Sequence, residues 1–126
     1  KKVLQKEYGK DSVVTFYGDT SERDRQMAEQ RLNSGDARFF VANPQTAGRG
    51  LTLNTASNVI YYANDFNLES RIQSEARCHR IGQKNTVLYV DLVAKGTVDE
   101  HIVKSLKSKN ELSARSLGEE VREWLK

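Results

Sequence analysis

The chain has 126 residues, 37% of them apolar and 29% charged, which fits one soluble globular domain with a modest core. No apolar run approaches the ~20 residues needed to cross a bilayer, and no signal-peptide pattern opens the chain. The net charge of +3 and pI of about 9.0 permit a phosphate-rich partner without demanding one. The single cysteine, Cys78, excludes an internal disulfide and points to a reducing, intracellular setting.

Residues 1–9, KKVLQKEYG, read as the end of a helix that the chain enters midway, so an excised fragment is expected. DSVVTFYG (11–18) combines β-branched and aromatic residues and closes on Gly18, which predicts a strand. TSERDRQMAEQRLNSG (20–35) predicts a helix. Ser21 and Asp24 have capping-box spacing, Met27, Ala28 and Leu32 recur at helical spacing, and Gly35 suits the stop. ARFFVAN (37–43) has strand length, and PQTAGRG (44–50) reads as a loop of small residues. SNVIYYA (57–63) and TVLYVDLVA (86–94) predict strands on either side of a helix over 68–81. GTVDEHIVKSLKSK (96–109) starts another helix, with Thr97 and Glu100 as a second capping box. The tail to Lys126 reads as helical, with Trp124 and Leu125 as its anchors.

Strands alternating with helices, and apolar on both faces, predict an α/β fold with a mostly parallel sheet and helices on both faces. Ligands of such sheets bind outside the carboxyl ends of the strands, which places the loop at 43–50 on the binding edge. Neither internal repeats nor a low-complexity linker interrupts the chain.

QSEARCHRIGQ (73–83) carries the strongest chemical signal. At 3.6 residues per turn, Gln73, Arg77 and Arg80 share one helical face, while Ile72, Ala76 and His79 share another that can pack on the sheet. Two guanidiniums side by side suit a polyphosphate, or phosphoryl charge growing in a transition state. The alternative is a solvated face on which Arg71, Arg77 and Arg80 pair with Glu69 and Glu75. His79 reads as a hydrogen-bonding core histidine and Cys78 as packing or surface.

Several stretches in order resemble the second RecA-like lobe of the Swi/Snf-type ATPases of helicase superfamily two. QSEARCHRIGQ resembles motif VI, Q-x-x-D-R-x-H-R-x-G-Q, at Gln73, Arg77, His79, Arg80, Gly82 and Gln83, with Ala76 in place of the acid. QTAGRGLTL (45–53) resembles motif V, K-A-G-G-x-G-L-N-L, at Gly48, Gly50, Leu51 and Leu53, with Ala47 replacing a glycine and Pro44 the usual threonine. FYGDTSERDR (16–25) is similar to D-G-S-T-S-x-x-x-R, NVIYYANDFN (58–67) to a segment ending Y-D-x-x-W-N-P, and KGTVDEHI (95–102) closes a match over residues 12–105.

The resemblance implies a three-layer RecA-like, P-loop-NTPase-like lobe whose first strand is cut away, with body 1–109 and a helical extension 110–126. It implies one half of a DNA-dependent ATPase that translocates along or remodels duplex DNA. Arg80 would be the principal arginine finger and Arg77 the second phosphate contact, with Gln73 ordering the attacking side or holding the arginines in register. Gly48 and Gly50 would let the backbone approach a nucleic-acid phosphate or the nucleotide, and Tyr17, Gly18, Thr46, Ala47 and Arg49 would lie toward DNA. ATP and Mg²⁺ would be held mainly by an N-terminal lobe, since no G-x-x-x-x-G-K-[ST] occurs here. Alone, a monomeric fragment would be inactive. Asp99, Glu100 and His101 sit in a helix's first turn and read as capping rather than metal binding. The compact spacing and NPQTAGRG look more like bacterial or phage members than nuclear ones. Two alternatives remain: a degenerate lobe that only binds DNA or protein, and an unrelated flavodoxin-like phosphate binder.

Overall fold

Val13 to Phe16, two valines, a threonine and a phenylalanine, suit a pleated surface and form β1. The computed structural model describes residues 1–47 and 50–124, and side chains except at 44, 47 and 114–124. Before β1 come α1 (Lys2–Tyr8) and a single 3₁₀ turn, Lys10–Ser12. After it come α2 (Glu22–Ser34), β2 (Phe39–Ala42), α3 (Pro44–Ala47), β3 (Asn58–Tyr61), α4 (Leu68–Cys78), β4 (Leu88–Asp91) and α5 (Val98–Trp124). The alternation makes the fold α/β, as expected.

β1 and β2 pair in parallel, with Val13 opposite Phe39 and Phe16 opposite Ala42. α2 makes the crossover that parallel pairing requires. Its ends are set locally. The Ser21 hydroxyl oxygen accepts the Asp24 N–H at 3.2 Å, and Gly35 takes φ 85° so that its own N–H reaches the Leu32 carbonyl. β3 and β4 form a second two-stranded sheet. The Ser57 carbonyl accepts from Leu88 N–H and the Tyr61 carbonyl from Leu92 N–H, so both strands advance together, as in parallel pairing.

Two compact units are distinguished, Lys1–Val59 with Ser70–Leu88, and Ile60–Glu69 with Tyr89–Lys126. In the first, Phe16, Leu51, Leu53 and Cys78 form a buried cluster lined by Leu32, Phe40, Ala42, Ala56, Val59 and Val87. Val14, Ala28 and Ala37 form a second cluster, also touched by Phe40. In the second unit Tyr61, Ile102 and Leu106 are buried, the last two one turn apart on α5.

Four local expectations are corrected. The 44–50 loop opens with the short helix α3. The helix expected over 68–81 stops at Cys78. β3 and β4 alternate instead of being covered on both faces: Ile60, Leu88 and Val90 are exposed. At the start of α5, Thr97 Oγ1 accepts the Asp99 N–H, and it is the Asp99 carboxylate, not Glu100, that reaches back, accepting the Ala94 N–H at 3.2 Å. Asp99 therefore serves the helix start, as its position in the sequence suggested. The expected anchors Trp124 and Leu125 lie outside the described side chains.

Candidate functional site

The carboxyl ends of β1 and β2 gather two of the predicted segments. Asn43 donates its N–H to the Phe16 carbonyl at 3.4 Å, tying the end of β2 to that of β1. Its side-chain oxygen accepts the Gln45 N–H and its carbonyl the Thr46 N–H, which starts α3. On the β1 side, Tyr17 and Thr20 close a turn through Tyr17 N–H to Thr20 Oγ1 and Thr20 N–H to the Tyr17 carbonyl. Arg25 clamps this turn from α2. Its Nε donates to the Thr20 carbonyl (2.8 Å), its Nη2 to the Gly18 carbonyl (2.9 Å), and its guanidinium lies over the Phe16 ring. Tyr17 and Gly18 are exposed and Thr46 half-buried at this edge. Ala47 closes α3, and its side chain, like Gly48 and Arg49, lies outside the described residues.

The next stretch is built into the core. Gly50 has φ 76°, a backbone that a residue with a Cβ would resist, so its glycine is explained by turn geometry. Leu51 and Leu53 are buried and anchor the chain on both sides of Thr52. The Thr52 N–H donates to Glu29 Oε1 (2.9 Å), and its carbonyl accepts from Asn33 Nδ2 (2.8 Å).

α4 delivers the arginines to this stretch. Leu53 N–H donates to the Arg77 carbonyl at 3.0 Å, and Cys78 packs beside Leu51 and Leu53. Arg77 is half-buried with its Nε shut away from solvent. Arg80 stands beyond the last residue of α4 and is exposed. Its Nη1 donates to Thr52 Oγ1 at 3.2 Å. The Gln83 side-chain amide donates to the carbonyls of Ala56 (2.9 Å) and Cys78 (3.3 Å), stapling the two loops. Gly82, at φ 103°, passes so close that a Cβ there would lie 3.2 Å from Asn54 Nδ2. His79, Arg80, Ile81, Gln83 and Asn85 line an open hollow of about 430 Å³ beside the arginine.

The two arginines thus meet the 50–56 segment, Arg77 through its backbone and Arg80 through its guanidinium. Gln73 is exposed on α4. The single-face reading fails for Arg80, because the helix has ended before it. The packing-face reading fails as well: Ile72, Ala76 and His79 are all exposed, so His79 is no core histidine. With one strong apolar residue on that face, little favoured its burial. Glu75 pairs with Arg71, as the solvated-face alternative held for that pair. Burial pushes the Cys78 thiol pKa up, which suits packing and disfavours the reactive thiolate. Sequence reasoning missed Thr52, Glu29 and Asn33, and it named Gln83 only as a motif position, without its stapling role. A hint lay in Gln83, whose amide follows directly on Gly82.

Comparison with known proteins adds to this geometry. The family described as helicase conserved C-terminal domain matches residues 1–82. "Protein CHROMATIN REMODELING 4" of Arabidopsis thaliana is 37% identical over 107 residues, covering 84% of this chain and 5% of that protein. "Lymphoid-specific helicase" of Homo sapiens is 37% identical over 93 residues, 73% of this chain and 11% of that protein. The chain therefore spans a small part of the relatives it matches. The crystal structure of the C-terminal part of the Fun30 ATPase domain superposes with a TM-score of 0.74 at 27% identity, over 83% of this chain and 34% of that one. Relatives from plant, nematode, fly and human lend no support to the expected bacterial or phage kinship.

Proposed function

This chain belongs to the helicase conserved C-terminal domain family, on its Swi/Snf-type branch, and from that premise we propose that it is the second RecA-like lobe of a DNA-dependent ATPase. Its lobe body would be 1–109 and its helical extension 110–126. The ATP site is completed by an N-terminal lobe that carries the P-loop. The observation that carries this reading is the exposed guanidinium of Arg80, seated on Thr52 where the helix has ended. A guanidinium held there presents its remaining donors to an incoming polyphosphate.

Arg80 acts as the principal finger, stabilising negative charge that grows on the transferred phosphoryl group. Arg77 supplies the second phosphate contact and Gln73 orders the attacking side. Gly48 and Gly50 would let the backbone approach the nucleotide or a nucleic-acid phosphate. Mg²⁺, like ATP, would be held mainly by the N-terminal lobe. Tyr17, Gly18 and Thr46, with Ala47 and Arg49, face duplex DNA. Translocation along the duplex, or remodelling of what is bound to it, is the work that hydrolysis drives. The lone lobe does not turn over ATP.

The test is duplex-stimulated ATP hydrolysis by the two-lobe protein and its Arg80→Ala variant. The variant is expected to bind DNA and to lose ~10³-fold or more in kcat, as finger removal does. DNA binding with no stimulated hydrolysis in the wild type, or a harmless Arg80→Ala, would make the chain a binding module instead.

A further inference from the structure

We propose that Glu29 and Asn33 of α2, acting through Thr52, position the Arg80 guanidinium; the inference rests on Arg80 being the finger. Arg80 lies past the end of α4, where helical periodicity no longer sets the direction of its side chain. It is also exposed, and a free arginine side chain samples many rotamers. What holds it is the Thr52 hydroxyl, and Thr52 is itself gripped at its two backbone polar groups, N–H by Glu29 Oε1 and carbonyl by Asn33 Nδ2.

The grip is built to be directional. The Glu29 carboxylate makes a charge-assisted bond to the Thr52 N–H, stronger than a neutral one. Asn33 is oriented by Thr55, whose hydroxyl donates to Asn33 Oδ1 at 3.0 Å, turning the amide nitrogen toward the Thr52 carbonyl. Leu51 and Leu53 are buried on either side, so the segment cannot slide along α2. The Thr52 backbone is therefore held in place, and its hydroxyl accepts from Arg80 Nη1. Ala28, the neighbour of Glu29, is buried in the cluster beneath α2, which ties the whole grip to the β1–β2 pair. Finger catalysis depends on placement before the transition state forms, so an acceptor on the guanidinium bears on kcat rather than on substrate affinity.

The experiment uses the two-lobe protein, with kcat and KM for ATP measured at saturating duplex DNA beside thermal melts. Thr52→Val keeps the shape and removes the acceptor. It is expected to lower kcat roughly tenfold to a hundredfold with KM nearly unchanged, while Thr52→Ser, which keeps the hydroxyl, restores most of the rate. In an Arg80→Ala background Thr52→Val should add little further loss, because the two act as one unit. If Thr52→Val melts early, Glu29→Gln against Glu29→Ala makes the same comparison, since the amide oxygen can still accept the Thr52 N–H and alanine cannot. Full kcat in Thr52→Val with a crippled Arg80→Ala overturns the positioning role and leaves the finger intact. A loss of equal size in the Arg80→Ala background overturns it too. A harmless Arg80→Ala overturns the finger reading, and this inference falls with it.

Discussion

The turn at 17–20 and the segment at 50–56 are both irregular backbone, yet they are held in opposite ways. The turn is closed by near neighbours: Tyr17 and Thr20 bond each other, and Arg25 clamps it from the first turns of α2. Its tip, Tyr17 and Gly18, stays exposed. The 50–56 segment is held from far away, by Glu29, Asn33, Arg77 and Gln83, with two leucines sunk in the core. A locally clamped tip can adapt to a partner without disturbing the fold. A segment wired to α2 and to the end of α4 transmits any change to both. The first arrangement suits contact with a varied surface such as a DNA backbone, and the second suits a site whose geometry sets a rate.

Leu53→Ala should separate the two most strongly. Leu53 is buried against Phe16, Leu51 and Cys78, and its N–H holds the Arg77 carbonyl. The expected loss is about 2–5 kcal/mol in urea denaturation, from lost burial and the cavity left behind. A loss under about 1 kcal/mol would mean that the 50–56 segment is not anchored as described.

Gly82→Ala is the next largest. The position needs φ 103°, and the new Cβ would press on Asn54 Nδ2 at 3.2 Å. A cost of about 1–3 kcal/mol is expected from the strained backbone. The same substitution at Gly18, where φ is not positive and a Cβ meets nothing within 4 Å, should cost far less. Equal costs at the two glycines would erase the contrast between the wired loop and the open turn.

Much of the frame was readable from residues close in sequence. Ser21, Asp24 and Gly35 mark the ends of α2 because capping is chemistry of adjacent residues. The runs at 11–18 and 37–43 hold β1 and β2 because branched and aromatic residues favour extended backbone. The site was legible only as a set of types. Arg77 and Arg80 were singled out through the resemblance of residues 73–83 to motif VI, but the helix stops between them, and helical geometry then no longer says where Arg80 points. The seat for Arg80 was not readable at all. Its bonds join residues 28, 23 and 19 apart in sequence, and no local pattern marks a threonine whose two backbone groups are both claimed by side chains of another helix. The exposure of Ile72, Ala76 and His79 was missed for a related reason, because periodicity names a face without saying what lies against it.

Arg25→Ala is the smallest effect and the sharpest test of independence. It removes two bonds to carbonyls at the turn and a guanidinium over the Phe16 ring. Those carbonyls belong to exposed or half-exposed residues that water can serve, so the global cost should be about 1 kcal/mol. The local cost should be larger, read as faster hydrogen exchange at the Thr20 N–H, because the turn that brings the Tyr17 carbonyl to that proton is no longer held from α2. In the two-lobe protein the variant should weaken duplex binding severalfold and leave kcat at saturating DNA unchanged, since none of the residues that seat Arg80 touches the turn in the described bonds. If kcat falls as far as it does in Thr52→Val, α2 couples the turn and the seat through its own length. Arg25, Glu29 and Asn33 follow one another at one-turn intervals along that helix, so such a result would make α2 the element through which contact at the turn reaches the arginine.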